Sequence, residues 1–198
     1  MTVPVLTDDD GAVFADSAEI ARWADQRGQG PVLFPAELGD AIDHFIELSE
    51  RGLGAGRALS LVRMLEDDKA LSEMLPRPLR RPLGRLGSSL GAFGVRRTLR
   101  KYGANGADRE KSEATLVRVL EELRDTLATR SGTPKTLLGQ FTFADIAMAQ
   151  VLAFVDPPSF GLRVGRASRA SFTDPALRDR YADLLAWRDA LYDAHRPT

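Results

Sequence analysis

Residues Thr2 to Phe14 offer a place for one pair of strands, and beyond residue 35 no further strand pattern appears. The runs "VPVLT" and "AVFAD" flank Asp8, Asp9, Asp10 and Gly11. An Asp-Gly pair between apolar runs predicts a tight turn, because Gly tolerates the positive φ that hairpin turns need. A lone two-stranded hairpin is marginal in water. The core of this chain is therefore expected to be helical, with the hairpin leaning on it.

The rest of the chain fits that requirement. "DSAEIARWADQRG" predicts a first helix with Asp16 or Ser17 as N-cap, Ile20, Trp23 and Ala24 on one face and Gly28 as its stop. "GQGPVLFP", residues 28–35, has the composition of a linker. The expected organisation is a small α/β piece over 1–30 and an all-helical domain over 36–198. Within the latter, Leu38, Ala41, Ile42, Phe45 and Leu48 define an apolar face, which Leu59, Val62 and Leu65 resume after Gly52, Gly54 and Gly56. This predicts a long helix, kinked or broken near the glycines. Leu116, Val119, Leu120, Leu123 and Leu127 recur at steps of three and four, the clearest amphipathic pattern in the chain.

Two further helices announce their starts. Thr142 with Asp145 makes a Thr-x-x-Asp capping box, with Phe141 and Ile146 as a candidate hydrophobic staple. The segment from Phe143 to about Val155 is apolar almost all round, which predicts the buried centre of a bundle, ended by Pro157 and Pro158. A last helix is predicted from Asp174 as cap and Pro175 at the first helical position, with Leu177, Tyr181, Leu184, Leu185 and Leu191 facing inward and Trp187 on its flank.

Composition excludes several classes of function. At 198 residues and 43% hydrophobic, the chain suits one domain or a domain plus a fragment. No apolar run is long enough for a signal peptide or a membrane span. No membrane partner is expected, and the cytoplasm is the default compartment. With no cysteine there is no disulfide framework, thiolate metal site or cysteine nucleophile. His44 and His195 lie far apart in helix-like patterns, which suits surface or packing roles, and no metal-binding spacing exists.

The net charge of -1 conceals a split. Residues 1–50 hold eleven acids against Arg22 and Arg27, a net of -9, whereas residues 51–101 hold twelve bases against four acids, a net of +8. The stretch Arg77–Tyr102 carries eight bases and no acid. Its Pro, Gly and Leu content, with only Phe93 and Tyr102 among the bases, reads as a solvated connector with snorkelling arginines and weighs against nucleic-acid binding.

Familiar catalytic motifs are missing: no P-loop, no dinucleotide-binding glycine motif after a strand and no G-x-S-x-G elbow. "GLGAGRALS" mimics a phosphate loop, but no strand precedes it and helical periodicity surrounds it. Two short stretches keep a chemical meaning. At Val3-Pro4 the proline removes a backbone donor, and a cis bond there would leave the Val3 N–H and C=O facing outward to pair with a peptide-like ligand. At Asp16-Ser17 the helix start, the hydroxyl and the positive end of the dipole favour a carboxylate, and the acid beside them suits an ammonium group. A ligand with an α-amino acid head and a peptide-like middle satisfies both. The same residues can also merely start a strand and cap a helix.

Taken in order, "VPVL", "ADSAEIARWAD", "GPVLFP", "FTFADIAMA" and "DPALRDRYADLLAWRDAL" resemble the glutathione S-transferase family, from Val3 to about Leu191. The resemblance implies a truncated thioredoxin-like piece followed by an all-α bundle, an α+β and mostly α fold, usually homodimeric. It implies a detoxifying transferase that conjugates the thiolate of its co-substrate glutathione to a small electrophile held against the helical domain. Val3 and Pro4 would hold the cysteinyl part, Asp16 and Ser17 the γ-glutamyl head, and Thr142 with Asp145 would be the family's folding box. Members of the family begin with a strand, helix and strand that supply the Tyr, Ser or Cys activating the thiol. No residue here matches that role, so the catalytic residue is unknown. The resemblance also leaves room for a non-catalytic glutathione-binding or dimerising module. The strand of Val3 and Val5 would present an open edge. That leaves three expectations: Met1 is an internal start, another chain covers the edge, or the hairpin rests wholly on the helical domain.

Overall fold

The computed structural model describes residues 4–75, 89–99, 109–161 and 164–196. Strands β1 (Leu6–Thr7) and β2 (Val13–Phe14) form an antiparallel pair in which Leu6 faces Phe14 and Thr7 faces Val13. Gly11 turns the chain at φ 82°, and its N–H donates to the Asp8 carbonyl at 3.0 Å. The Asp8 carboxylate accepts from the N–H groups of Asp10 (3.1 Å) and Ala12 (2.8 Å), so the acidic turn is held by its own side chain.

Helix α1 (Ser17–Arg27) follows, capped by Asp16, whose carboxylate accepts from the N–H of Ala18 at 2.8 Å and of Glu19 at 3.3 Å. No residue of α1 is buried. The linker is anchored by Asp25, whose carboxylate accepts from the N–H of Leu33 (2.8 Å) and Phe34 (3.1 Å), and the Leu33 carbonyl accepts from Phe143 N–H at 3.0 Å. Arg22 pairs with Asp43 and covers the Phe34 ring, its guanidinium 4.4 Å from the centroid.

After a 3-10 turn (Ala36–Leu38), α2 runs unbroken from Gly39 to Leu65, which corrects the expectation of a break at the glycines. The reason is packing. A Cβ on Gly52 would lie 2.7 Å from a Val151 methyl, and one on Gly56 would lie 2.5 Å from the Phe154 Cβ. Their missing side chains let another helix approach within contact, and that gain offsets the roughly 1 kcal/mol helix penalty of each.

A short α3 (Asp68–Glu73) is capped by Asp67, which accepts from Lys69 and Ala70 N–H. The helix over 89–99, α4, corrects the reading of the basic stretch as a solvated connector. Ala92, Val95 and Leu99 bury one face of it against Met64, Ala70 and Leu71 in a small second core. The rest of that stretch lies outside the described residues.

The main core forms where α5 (Arg109–Ala128), α6 (Phe143–Val151, continued by a 3-10 turn Leu152–Phe154) and the last helices meet α2. Leu116, Val119, Leu120, Leu123 and Leu127 are all buried, as their spacing predicts. The box that starts α6 is fully enclosed. The Asp145 carboxylate accepts from Thr142 N–H (2.9 Å), the Thr142 hydroxyl (3.2 Å) and Leu137 N–H (2.8 Å), and both box residues are 0% exposed. Burial pushes the Asp145 carboxyl above the usual carboxylate range, against the pull of those donors.

The chain closes with α7 (Arg166–Phe172), α8 (Pro175–Arg180) and α9 (Ala182–His195). The single last helix expected from sequence is thus two, broken at Tyr181, whose backbone sits at φ -115° and ψ 31°. Periodicity survives the break because Leu177, Tyr181, Leu184, Leu185 and Leu191 all point inward. Tyr181 is fully buried, and its hydroxyl donates to Glu121 at 2.8 Å. Trp187 is core rather than flank, with its indole N–H on the Lys135 carbonyl at 2.9 Å. Arg188, 3% exposed, donates to the carbonyls of Leu152 and Asp156 and pairs with Asp189, tying α9 to the end of α6.

Candidate functional site

Four residues are expected to grip a peptide-like ligand: Val3, Pro4, Asp16 and Ser17. Val3 lies outside the described residues. Pro4 is exposed and leads into β1. Continuing the hairpin register two residues beyond the Leu6–Phe14 pair places Pro4 across from Asp16, so the proline and the start of α1 share the open end of the hairpin. Proximity of segments twelve residues apart follows from the turn alone.

At that end the first free N–H groups of α1 meet an incomplete cap. Asp16 satisfies Ala18 and Glu19, while the Ser17 hydroxyl is exposed with no hydrogen-bond partner among the described residues. An anionic group here would meet the positive end of an 11-residue helix and one uncommitted hydroxyl. Asp16 has one carboxylate oxygen on the backbone and the other without a partner among the described residues, which can accept from an ammonium. The two kinds of group that a zwitterion needs thus stand side by side.

A second feature was not legible in the sequence. Between the C-terminal half of α1, the linker, the start of α6 and the end of α9 lies an open cavity of about 560 Å³. Ala21, Ala24 and Leu33 wall one side and Ile146, Ala149 and Leu191 the other. At its aromatic rim Phe141 and His195 stack, centroids 3.7 Å apart and planes within 5°. The Phe141 ring thus faces His195, and the Phe141–Ile146 staple shows itself only as two side chains lining this cavity.

The two carboxylates beside the cavity are already bonded to backbone, Asp25 to Leu33 and Phe34 and Asp145 to Leu137 and Thr142. The polar groups that can address a guest are Tyr192, His195 and Arg196. Burial pushes the Tyr192 phenol up, so it remains a donor at neutral pH. Such a cavity accepts a largely apolar molecule of the size usual for small-molecule sites. His195 and Phe141 are 54 positions apart in sequence, and no spacing rule could have paired them. His44 has the ordinary role expected, 2.7 Å from Glu122 on the surface between α2 and α5.

Among the described residues no group of three or more His, Cys, Asp or Glu is placed to hold a metal ion. No helix among them is long and apolar enough to cross a membrane. The phosphate-loop reading of "GLGAGRALS" fails because Gly52 to Ser60 lie inside α2 with their N–H groups in helical bonds.

Comparison with known proteins locates the family in the helical half. No match was found among curated proteins or solved structures. Residues 106–190 match the family model described as the glutathione S-transferase C-terminal domain. That span opens with α5, contains the enclosed Thr142–Asp145 box and α6, and ends within α9. Residues 106–190 are therefore similar to the C-terminal domain of the glutathione S-transferase family.

Proposed function

We propose that this chain binds glutathione at the open end of the hairpin and presents its sulfur to an apolar electrophile, for which the cavity beside the C-terminal half of α1 is the candidate holder. The observation that carries the reading is the uncommitted Ser17 hydroxyl at the start of α1, beside Asp16 and across the hairpin from Pro4. Glutathione has the matching parts, a γ-glutamyl head with one carboxylate and one ammonium, and a cysteinyl amide for the expected pairing with Val3 and Pro4. The family of the helical domain supports the same co-substrate.

Conjugation requires the thiol to reach its thiolate, which needs a donor or a positive field close to sulfur. Titration calorimetry with glutathione, followed by a chloro-nitroaromatic conjugation assay, tests both steps. The expected result is saturable binding, weakened at least about fivefold by Ser17→Ala through loss of one charge-assisted bond; turnover would show that a donor of this chain reaches the sulfur. Binding without turnover would assign a non-catalytic glutathione-binding module. Binding of equal strength in Ser17→Ala and Asp16→Asn would remove the site from the open end of the hairpin.

A further inference from the structure

Six large apolar side chains stand out as exposed among the described residues; Leu90 (53%) and Phe93 (59%) lie on α4, Met74 (54%) follows α3 and Val164 (42%) precedes α7. Helix α3 touches the segments that carry them. The backbone of Gly91, next to Leu90, lies so close to Leu71 that a Cβ there would be 2.3 Å from the Leu71 carbonyl oxygen. The Glu73 carboxylate, next to Met74, accepts from Ala167 N–H (3.3 Å) and Ser168 N–H (2.7 Å) at the start of α7, just after Val164. Glu73 is thereby committed to capping a neighbouring helix.

On α4 the spacing of Leu90, Phe93 and Arg97 puts all three on the side opposite the buried Ala92, Val95 and Leu99. The helix thus turns a short apolar edge to solvent with an arginine in line with it. The sequence around it, residues 77–102, has eight bases and no acid. Scattered exposed leucines are ordinary, but Leu90 and Phe93 on one exposed helix edge with Arg97, inside the most basic stretch of the chain, ask for a partner.

We propose that this face lies on anionic lipid bilayers, with α4 in the plane of the headgroups, Leu90 and Phe93 reaching into the acyl boundary and Arg97 on lipid phosphate. The charge chooses the partner: a surface with apolar depth beneath fixed negative charge satisfies both kinds of side chain at once. A nucleic acid would use the arginines and leave Met74, Leu90 and Val164 in water. Because no helix among the described residues can span a bilayer, the contact is peripheral and reversible.

Co-sedimentation of the full chain with vesicles of phosphatidylcholine alone, and of phosphatidylcholine with about one third phosphatidylglycerol, is the test at about 0.1 M salt. At least about tenfold preference for the anionic vesicles is expected, falling as salt rises. The Leu90→Ser/Phe93→Ser double variant should lose about tenfold in binding and Arg97→Gln about threefold. Both replaced apolar side chains are exposed, so the thermal midpoint should stay with the parent. A Phe93→Trp variant gives a readout that does not depend on a loss: the emission of the introduced indole should be quenched by bilayers of brominated lipid. Equal binding to both vesicle types, undiminished binding by the double variant, or unquenched emission from Phe93→Trp would each overturn the proposal. Tight binding of an RNA oligonucleotide that survives the double serine variant would assign the arginines to nucleic acid instead.

Discussion

The hairpin with α1 and the region around α6 are built on opposite terms. The strands are two residues long, Val13 is 59% exposed and α1 buries no side chain. Around α6, by contrast, Leu116, Leu120, Leu123, Leu137, Met148 and Leu152 are each 0% exposed, and even the polar cap is sealed from water. Burial of apolar surface at roughly 25 cal/mol per Å² is the dominant favourable term in folding, so stability resides in the helical domain. The candidate ligand groups sit on the weaker piece. Ligand binding that orders the hairpin should therefore be felt locally, while damage to the α6 cap should be felt globally.

The largest effect is expected from Asp145→Ala. It leaves Leu137 N–H, Thr142 N–H and the Thr142 hydroxyl without their acceptor in a site closed to water. A loss of about 3 kcal/mol, read from urea unfolding, follows from orphaned buried donors and a lost cap. Next comes Gly56→Val, which drives a branched side chain into the Phe154 ring where even a Cβ would sit 2.5 Å from the Phe154 Cβ. A loss of about 2 kcal/mol is expected from overpacking; an unchanged midpoint would show that α6 can move away from α2 at little cost.

Tyr181 gives the comparison a pH signature. Burial, with the hydrogen bond to Glu121, pushes its phenol up to about 12. In the unfolded chain the proton leaves near the ordinary value of about 10. Between these values the folded state holds the proton and the unfolded state does not, so this contribution to stability is present below about pH 10 and is lost as pH rises toward 12. Tyr181→Phe should flatten that alkaline decline in a series of urea curves. Glu121, held below the usual carboxylate range by the hydrogen bond from Tyr181 and by Arg180 and Arg124, gives the reverse dependence, its stabilisation fading as pH falls.

The two tryptophans report the two regions separately. Trp187 is in the main core, whereas Trp23 faces Phe14 at 6.0 Å on the hairpin side. In urea, the emission of a Trp187→Phe variant should change at lower denaturant than its far-UV circular dichroism. Coincident curves would show that hairpin and bundle unfold as one cooperative unit. The smallest effect is expected from Asp16→Ala: about 1 kcal/mol is lost from the start of α1, with little shift in the global midpoint because α1 has no buried residue.

Periodicity and capping rules made much of this fold readable. The five inward positions of α5, the Thr142–Asp145 box and the Asp174–Pro175 start are local patterns, and local geometry realised them. Three of the four corrections concern helices. Gly52 and Gly56 read as a weakness until Val151 and Phe154 occupied the space they leave, Tyr181 broke a helix whose apolar stripe continued, and Ala92, Val95 and Leu99 found partners on α2 and α3 that no spacing could name. At the glycines a contact between residues distant in sequence outweighed a local propensity of about 1 kcal/mol.

By itself the sequence determined that one hairpin precedes a helical bundle, where the bundle's central helix begins, and that Pro4 and Asp16-Ser17 fall at the same end of the hairpin. Those statements depend on turns, caps and periods that act within a dozen residues. Only the tertiary structure decided that Phe141 and His195 stack beside an apolar cavity, that Arg188 is sealed against the carbonyls of Leu152 and Asp156, and that Leu90 and Phe93 face solvent while Ala92, Val95 and Leu99 are buried. Which side chains meet across helices is set by packing of whole faces, a property of the assembled core that no single stretch of the chain encodes.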